Sequence, residues 1–178
     1  MSEPHRTRRP ITARVEATGA EAKERGRSEA ALREAFSRWA TGVAVVAARD
    51  GTTTYAITAT AFLPVSIDPP RVLVSINPNA TVLPFLQEEG AEFGVSVLAE
   101  DQRRLASIFA DTGPLAQMYF PRGGDPVLPD ALAAFTCRVT RRDLVGDHTL
   151  VIGEVVRIAV GPDRRPLLYF RREYGTLG

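Results

Sequence analysis

The hydrophobic and polar positions of this 178-residue chain form short runs, most of them with the two-residue period of β-strands. They predict seven strands, over residues 43–49, 52–60, 71–77, 92–98, 135–145, 148–160 and 167–170. Turn sequences such as Asp50-Gly51 and Gly146-Asp147 join neighbouring strands. Because the strands follow one another as hairpins, the pattern predicts a mainly β fold, an antiparallel barrel with two or three appended helices.

Helical spacing occurs in three places. Ser28 is suited to begin a helix, whose apolar face we expect in the core; that face consists of Leu32, Ala35, Phe36 and Trp39. Thr81 is suited to cap a short helix over 82–88, and Glu100 and Asp101 begin another. The buried face of this last helix is predicted to be Leu105, Ile108 and Phe109. Prolines and glycines over 111–130 predict a long loop of the kind that often covers a site.

The composition of residues 1–27 differs from that of the rest of the chain. Residues 1–27 hold seven Lys or Arg and four Glu with few large apolar residues, which predicts a disordered N-terminal tail and a single folded domain over 28–178. The formal net charge of +1 does not favour nucleic-acid binding. Apolar runs stay shorter than a membrane span, and the single cysteine, Cys137, fits a protein of the reducing cytoplasm.

Two kinds of catalysis have little support in the residues. Zinc needs three or four ligands, and the predicted domain offers only Cys137 and His148 as soft or imidazole ligands, so no metal is expected. No serine or cysteine lies in a nucleophile motif. Cys137 shares the apolar face of its strand with Phe135 and Val139, so we interpret it as a small buried hydrophobic residue.

The stretch 58–70, TATAFLPVSIDPP, and the strand that follows it carry the strongest functional signal. Small side chains let a ligand approach the backbone, and hydroxyls cluster around two consecutive turns: Thr58, Thr60, Ser66, Ser75 and Thr81. The turn Asn77-Pro78-Asn79-Ala80-Thr81 begins a predicted helix, and such turns suit a phosphate. This predicts a site for an acceptor-rich ligand such as a flavin.

His148 is the one histidine of the predicted domain, and histidine is the residue type best suited to act as a pH switch. It begins a strand directly after the Gly146-Asp147 turn, so it is expected at the rim of the barrel, where a ligand could contact it. Asp147 could cap the turn or orient a neighbour. The residues alone favour this role and a histidine satisfied by local backbone about equally.

With these residues in view, the chain resembles a known family, the flavin reductase-like, FMN-binding split-barrel proteins. Many of these are the small reductase components of two-component flavin monooxygenases. The resemblance lies in five segments: FSRWATGVAVV at 36–46, TATAFLPVSIDPPRVLVSIN at 58–77, FGVSVL at 93–98, GDHTLVIGEV at 146–155 and PLLYF at 166–170. Together they span nearly everything after residue 30.

The resemblance implies a split β-barrel of Greek-key type that forms a homodimer, with FMN or FAD near the subunit boundary. It implies that the flavin ring lies along Thr58, Ala59, Thr60 and Ala61, and that Val65, Ser66, Asn77 and Thr81 contact the ribityl chain and phosphate. Ser75 and Ala80 complete the predicted cofactor-binding set. Asp147 and His148 would lie near the nicotinamide of NADH or NADPH, with His148 as the candidate catalytic residue.

The activity that the resemblance implies is hydride transfer from NAD(P)H to flavin, with reduced flavin diffusing to a partner monooxygenase. The chain also differs from the family. It has Thr60-Ala61 where Asn-Ser is frequent, Leu63-Pro64 where Thr-Ser is frequent, and Pro78 where a basic residue is frequent. These differences leave two alternatives: a non-catalytic flavin- or haem-binding module, or a flavoenzyme that reduces an organic substrate directly. In the second, the loop residues Met118, Tyr119 and Phe120 would shape the substrate pocket.

Overall fold

The structure, a computed structural model, describes residues 19–110 and 114–178. Within these ranges the chain forms two α-helices, α1 (Gly19–Ser37) and α2 (Arg103–Ala110), and ten strands. The strands are β1 (Thr41–Gly42), β2 (Ala44–Asp50), β3 (Thr53–Ala59), β4 (Phe62–Ile67), β5 (Pro70–Ile76), β6 (Glu92–Val97), β7 (Ala133–Val145), β8 (His148–Val160), β9 (Leu168–Phe170) and β10 (Glu173–Gly175). Three short 3₁₀ helices cover Leu83–Leu86, Glu100–Gln102 and Pro114–Tyr119. All ten strands lie in one compact unit, Ser37–Gly178.

Seven strands form one antiparallel sheet in the order β3-β2-β6-β7-β8-β5-β4. Its two edge strands, β3 and β4, are consecutive in the chain and are joined only by Thr60 and Ala61. The sheet must therefore curl until its edges meet at this link, which makes it a barrel, and the predicted antiparallel barrel is confirmed. A second sheet, β1-β9-β10, flanks it.

The barrel wall separates two apolar layers. Along β2, Ala44, Val46 and Ala48 belong to one buried cluster, and Val45 and Ala47 belong to the other together with Val43, which directly precedes the strand. Successive side chains of a strand point to opposite faces, so a strand this apolar is buried on both. The predicted inward face of β7, formed by Phe135, Cys137 and Val139, packs in the first cluster. The predicted buried face of α2, Leu105, Ile108 and Phe109, packs in the second.

The N-terminal helix differs from the prediction. It begins at Gly19, so residues 19–27 of the expected disordered tail are helical, and residues 1–18 of that tail lie outside the described residues. Its predicted core-facing side chains are exposed in this chain: Leu32 at 52%, Phe36 at 68% and the following Trp39 at 77%. Helical periodicity identifies an apolar face but does not tell which surface covers it.

Three smaller elements were not predicted. β4 lies in a stretch interpreted as turn, and β1 and β10 are short strands that pair with β9. The helix predicted over 82–88 is a single 3₁₀ turn, Leu83–Leu86, and its N-cap position is Val82 rather than Thr81. Pro84 at the start of that turn removes one backbone donor, and no side chain caps its N-terminus.

Candidate active site

A groove of about 380 Å³ lies where the ends of β3 and β5 meet the start of β8. It collects eight of the predicted site residues: Thr58, Ala59, Thr60, Ala61, Ser75, Asn77, Ala80 and His148. Ile57, Asn79, Phe109 and Ala110 complete its lining. Among these lining residues His148 is the one ionisable side chain, so the groove is apolar and hydroxyl-rich with little fixed charge.

Strand register explains why residues distant in sequence meet here. Ile76 of β5 pairs with Thr149 of β8, so Asn77 and His148 are the next positions on these two strands. The amide of Ser75 donates to the carbonyl oxygen of Ala61 at 3.0 Å, which attaches the β3–β4 link to β5. The groove is therefore a consequence of barrel closure at Thr60 and Ala61.

The link between β3 and β4 presents unpaired backbone donors. Ala61 accepts a hydrogen bond through its carbonyl, but within the described chain the amide hydrogens of Thr60 and Ala61 have no acceptor. Ala61 is exposed, Thr60 is half-buried, and both residues line the groove. Two adjacent N–H groups beside small side chains suit the carbonyl and ring-nitrogen acceptors of a flat heterocycle.

The turn at 77–80 is organised by Asn77. Its side-chain Oδ1 accepts from the amide of Asn79 at 2.9 Å, and its carbonyl accepts from the amide of Ala80 at 2.9 Å. The amides of Asn79 and Ala80 therefore already donate hydrogen bonds within the turn. The groups left to donate to a phosphate are the side-chain amide of Asn77 and the exposed Thr81 that follows the turn. The predicted helix N-terminus does not contribute, since only one 3₁₀ turn follows.

His148 is held from one side. Its Nδ1 lies 2.9 Å from Oδ1 of Asp147, and 40% of the histidine side chain is exposed. The carboxylate of Asp147 is 93% exposed and is not part of the groove lining. A carboxylate at Nδ1 favours the tautomer with its proton there, which leaves Nε2 as the second hydrogen-bonding atom of the ring.

Helix α2 closes one side of the groove, and the sequence did not indicate this. Phe109 and Ala110, at its C-terminal end, line the groove. The helix is attached to β3 by a hydrogen bond of 2.6 Å from the hydroxyl of Thr58 to the carbonyl oxygen of Ala106. The Thr58 hydroxyl therefore already donates its hydrogen to the protein. At the groove, its role is to hold α2 in position.

Four of the predicted residues are not in the groove lining: Thr81 and Asp147, which are next in the chain to the lining residues Ala80 and His148, and Val65 and Ser66. Val65 and Ser66 are on β4, beside a register shift between Pro64 and Ser66, and neither lines the groove. Val65 is 50% exposed. A bulge changes the face to which following side chains point, and turn chemistry alone does not reveal it.

A second cavity, of about 470 Å³, lies on the other side of the same link and shares Thr60 and Ala61 with the groove. Its lining is mainly apolar, with Val43, Leu63 and Leu73 among its residues and the exposed Trp39 at its edge. The β3–β4 link is thus accessible from both sides.

The described part of the predicted loop contains a 3₁₀ helix, Pro114–Tyr119, and packs partly into the core. Phe120 is 6% exposed and contacts Phe109, and Tyr119 meets Phe109 edge-on at 5.7 Å, so both belong to the core cluster. Met118 is 73% exposed.

Asp125 forms an ion pair with Arg157 of β8. Its two carboxylate oxygens lie 2.5 and 2.7 Å from the guanidinium of Arg157. The Arg157 hydrogen bond, together with the Thr136 hydroxyl at 2.9 Å, lowers the pKa of Asp125 below 3.8.

The described residues contain neither a metal-binding cluster nor a reactive thiol. No group of three His, Cys, Asp or Glu side chains is close enough to hold a metal ion in this part of the chain. Burial raises the pKa of the Cys137 thiol to about 12, consistent with a packing role. None of the helices in the described ranges is long and apolar enough to cross a membrane.

The antiparallel barrel, with a groove at its β3–β4 link, defines a small split-barrel protein. Residues 36–178 match the model of the flavin reductase like domain, so the chain belongs to that family. It is 39% identical over 147 residues to the reductase component of 4-hydroxyphenylacetate 3-monooxygenase of Thermus thermophilus, covering 83% of this chain and 95% of that protein. An NADH-dependent flavin reductase of a Rhodococcus species is 36% identical over 151 residues, covering 82% of this chain and 85% of that protein.

A solved structure agrees with these sequence relatives. The chain superposes on BorF, the flavin reductase component of a bacterial two-component tryptophan halogenase, with a TM-score of 0.76 and 34% sequence identity. The match covers 84% of this chain and 98% of BorF. The predicted family and the predicted split-barrel fold are both confirmed.

Proposed function

We propose that this protein is an NADH-dependent flavin reductase that supplies reduced flavin to a separate monooxygenase. The observation that carries the proposal is the groove, which places two unpaired amides, at Thr60 and Ala61, on the same ligand surface as His148. The family supplies the chemistry. This chain matches most of the length of two relatives, a monooxygenase reductase component and an NADH-dependent flavin reductase.

The residues present fit a flavin. Small side chains at Ala59 and Ala61 leave room for a tricyclic ring against the backbone, and the two amides of the link match its pyrimidine-side acceptors. Asn77 and Thr81 would hold the phosphorylated chain through neutral donors, because the groove lining contains no lysine or arginine. A phosphate held without a cation loses a charge-assisted contact, which favours FMN or FAD as an exchanging substrate rather than a permanent cofactor.

When bound, flavin accepts at N5 the hydride that the nicotinamide of NADH or NADPH donates. The protein's contribution is to align the two rings and exclude water from their contact. The Thr60 and Ala61 amides would stabilise the negative charge that develops on the pyrimidine side of the ring. His148 would position the nicotinamide through Nε2 while Asp147 holds Nδ1.

The dimer and the location are part of the proposal. Large apolar side chains are exposed on β4 and at the end of β8: Leu63 at 56%, Val65 at 50%, Ile67 at 94%, Ile158 at 69% and Val160 at 84%. Ile67 pairs with Pro70 and Arg71 pairs with Glu154, so both stretches lie at one end of the sheet. Burying this surface in a homodimer is the favoured arrangement. A cytoplasmic location remains a prediction from the single cysteine.

The test is NADH oxidation followed at its nicotinamide absorbance, with and without added FMN or FAD. We expect turnover that requires added flavin and saturates with it, and little turnover without it. Parallel assays with NADPH identify the preferred nucleotide. Tight flavin binding without nucleotide oxidation would instead support a non-catalytic flavin-binding module. Sedimentation analysis in the same buffer is expected to give twice the chain mass of 19.3 kDa.

A further inference from the structure

A second polar pocket lies at the opposite end of β3 from the flavin groove. It has a volume of about 370 Å³, and its residues come from the β2–β3 hairpin and the segment after α2: Arg49, Gly51, Thr52, Thr54, Gln117, Phe120, Pro121, Arg122 and Gly123. Thr54 at this pocket and Ala59 at the groove are five residues apart on one strand, or roughly 17 Å. The pocket is therefore separate from the groove.

The pocket is positively charged. Among the described residues, its lining includes two arginines, Arg49 and Arg122, and no carboxylate. Asp125 is near enough for its charge to act on Arg49, but its oxygens are already occupied by Arg157 and Thr136. Two hydroxyl side chains, Thr52 and Thr54, add further donors on the hairpin side. Charge and donors together favour an anion.

Arg49 is held in a position that leaves a donor unsatisfied. One terminal nitrogen donates to the carbonyl oxygen of Pro121, which fixes the guanidinium between the hairpin and the 117–123 segment. Its Nε is buried and has no hydrogen-bond partner. Gln117 makes a parallel connection by donating to the carbonyl oxygen of Thr52 at 2.6 Å. A buried N–H without an acceptor costs free energy, so Arg49 is held there without all of its donors satisfied by the described residues.

We propose that this pocket binds a phosphate monoester. A phosphate group carries three acceptor oxygens and a charge close to −2, which matches the two guanidinium groups of Arg49 and Arg122 and the threonine hydroxyls. The pocket volume leaves room for part of the organic group that carries the phosphate. The bound anion would connect the hairpin to the segment that follows α2. This inference does not depend on the proposed reductase activity.

Isothermal titration calorimetry with inorganic phosphate and with 2′-AMP tests the proposal. Arg122→Ala is the main variant, because Arg122 is exposed and has no partner among the described residues. Arg104→Ala, on the exposed side of α2, is the charge-matched control. We expect Arg122→Ala to weaken binding about tenfold or more, and Arg104→Ala to leave it unchanged. Arg49→Gln, checked for folding by circular dichroism, is expected to weaken binding similarly.

Asn77→Ala distinguishes this pocket from the groove. Phosphate bound at Arg49 and Arg122 is expected to bind Asn77→Ala as tightly as the parent protein, whereas phosphate bound at Asn77 and Thr81 would bind this variant more weakly. Tighter binding of 2′-AMP than of inorganic phosphate would identify a nucleotide ester as the ligand class, and equal binding would show that the phosphate group alone is recognised. Equal losses in Arg122→Ala and Arg104→Ala, or weaker binding in Asn77→Ala with none lost in Arg122→Ala, would overturn the proposal.

Discussion

The hydroxyl of Thr58 on β3 donates to the carbonyl oxygen of Ala106 on α2 across 2.6 Å, and this bond connects the barrel to the helix that closes the groove. Thr58→Val keeps the side-chain shape and removes the donor. We expect it to lower the free energy of unfolding by about 1 kcal/mol. Because Phe109 and Ala110 lie at the end of α2, flavin affinity should fall as well.

Thr58→Ser is the matched control, since it retains the hydroxyl. Urea denaturation and flavin fluorescence titration of both variants check the prediction. If the valine and serine variants behave alike in both measurements, the bond does not position α2.

His148 is expected to act on the nucleotide. His148→Ala should raise the KM for NADH or lower kcat, with a smaller change in the dissociation constant for FMN, because the main flavin contacts are assigned to the β3–β4 link and the 77–81 turn. Asp147→Ala should change the same kinetic parameters in the same direction by less, since it removes only the partner of Nδ1.

Asp163→Ala, in an exposed turn, serves as the control for loss of a surface carboxylate. Steady-state kinetics and flavin titration of the three variants give the comparison. Unchanged kinetics in His148→Ala would remove His148 from the site.

Asp125 and Arg157 predict a pH dependence of stability. The pKa of Asp125 is lowered in the folded protein, mainly by its hydrogen bond to Arg157, so its stabilising contribution is fully present above its unfolded pKa of about 3.8. It is lost as the pH falls through the lower folded pKa. Asp125→Asn should therefore be less stable than the parent protein at pH 7.

Thermal unfolding between pH 7 and pH 3 checks this prediction. The difference between parent and variant is expected to stay constant down to about pH 5 and to shrink below that. A difference that grows on acidification would contradict the assigned direction of the pKa shift.

Gly153 on β8 has no space for a side chain. A Cβ at this position would lie 2.5 Å from Cζ of the buried Phe93 and 3.1 Å from Cβ of Cys137. Gly153→Ala should cost about 1–3 kcal/mol of stability, because Phe93 is enclosed in the core and cannot move aside. Gly175→Ala, where a Cβ would meet nothing within 4 Å, is the control. Chemical denaturation should separate the two variants, and equal stabilities would refute the packing argument.

Much of the barrel could be predicted from local sequence. The strands predicted over 92–98, 135–145 and 148–160 are observed as Glu92–Val97, Ala133–Val145 and His148–Val160. These strands are buried on at least one face. Because of this, the alternation of apolar and polar residues and the β-branched side chains indicate them directly in the sequence. Strand β4 was missed because it is an exposed edge strand that contains Pro64 and a register shift.

The site was predictable only where it is local. Thr58 to Ala61 and the turn after β5 are continuous stretches, and the structure brings both to the groove. Phe109 and Ala110 are supplied by a helix about fifty positions along the chain, and no local pattern indicates which barrel edge that helix covers. The occupied amides of Asn79 and Ala80 likewise depend on the conformation that the Asn77 side chain imposes.

A crystal structure of the protein with bound FMN tests the central claim most directly. The account predicts electron density for the flavin ring against residues 58–61, with the phosphate at Asn77 and Thr81 and one ring edge within hydrogen-bonding distance of the Thr60 and Ala61 amides. Flavin density at another surface, with this groove filled only by solvent, would contradict it.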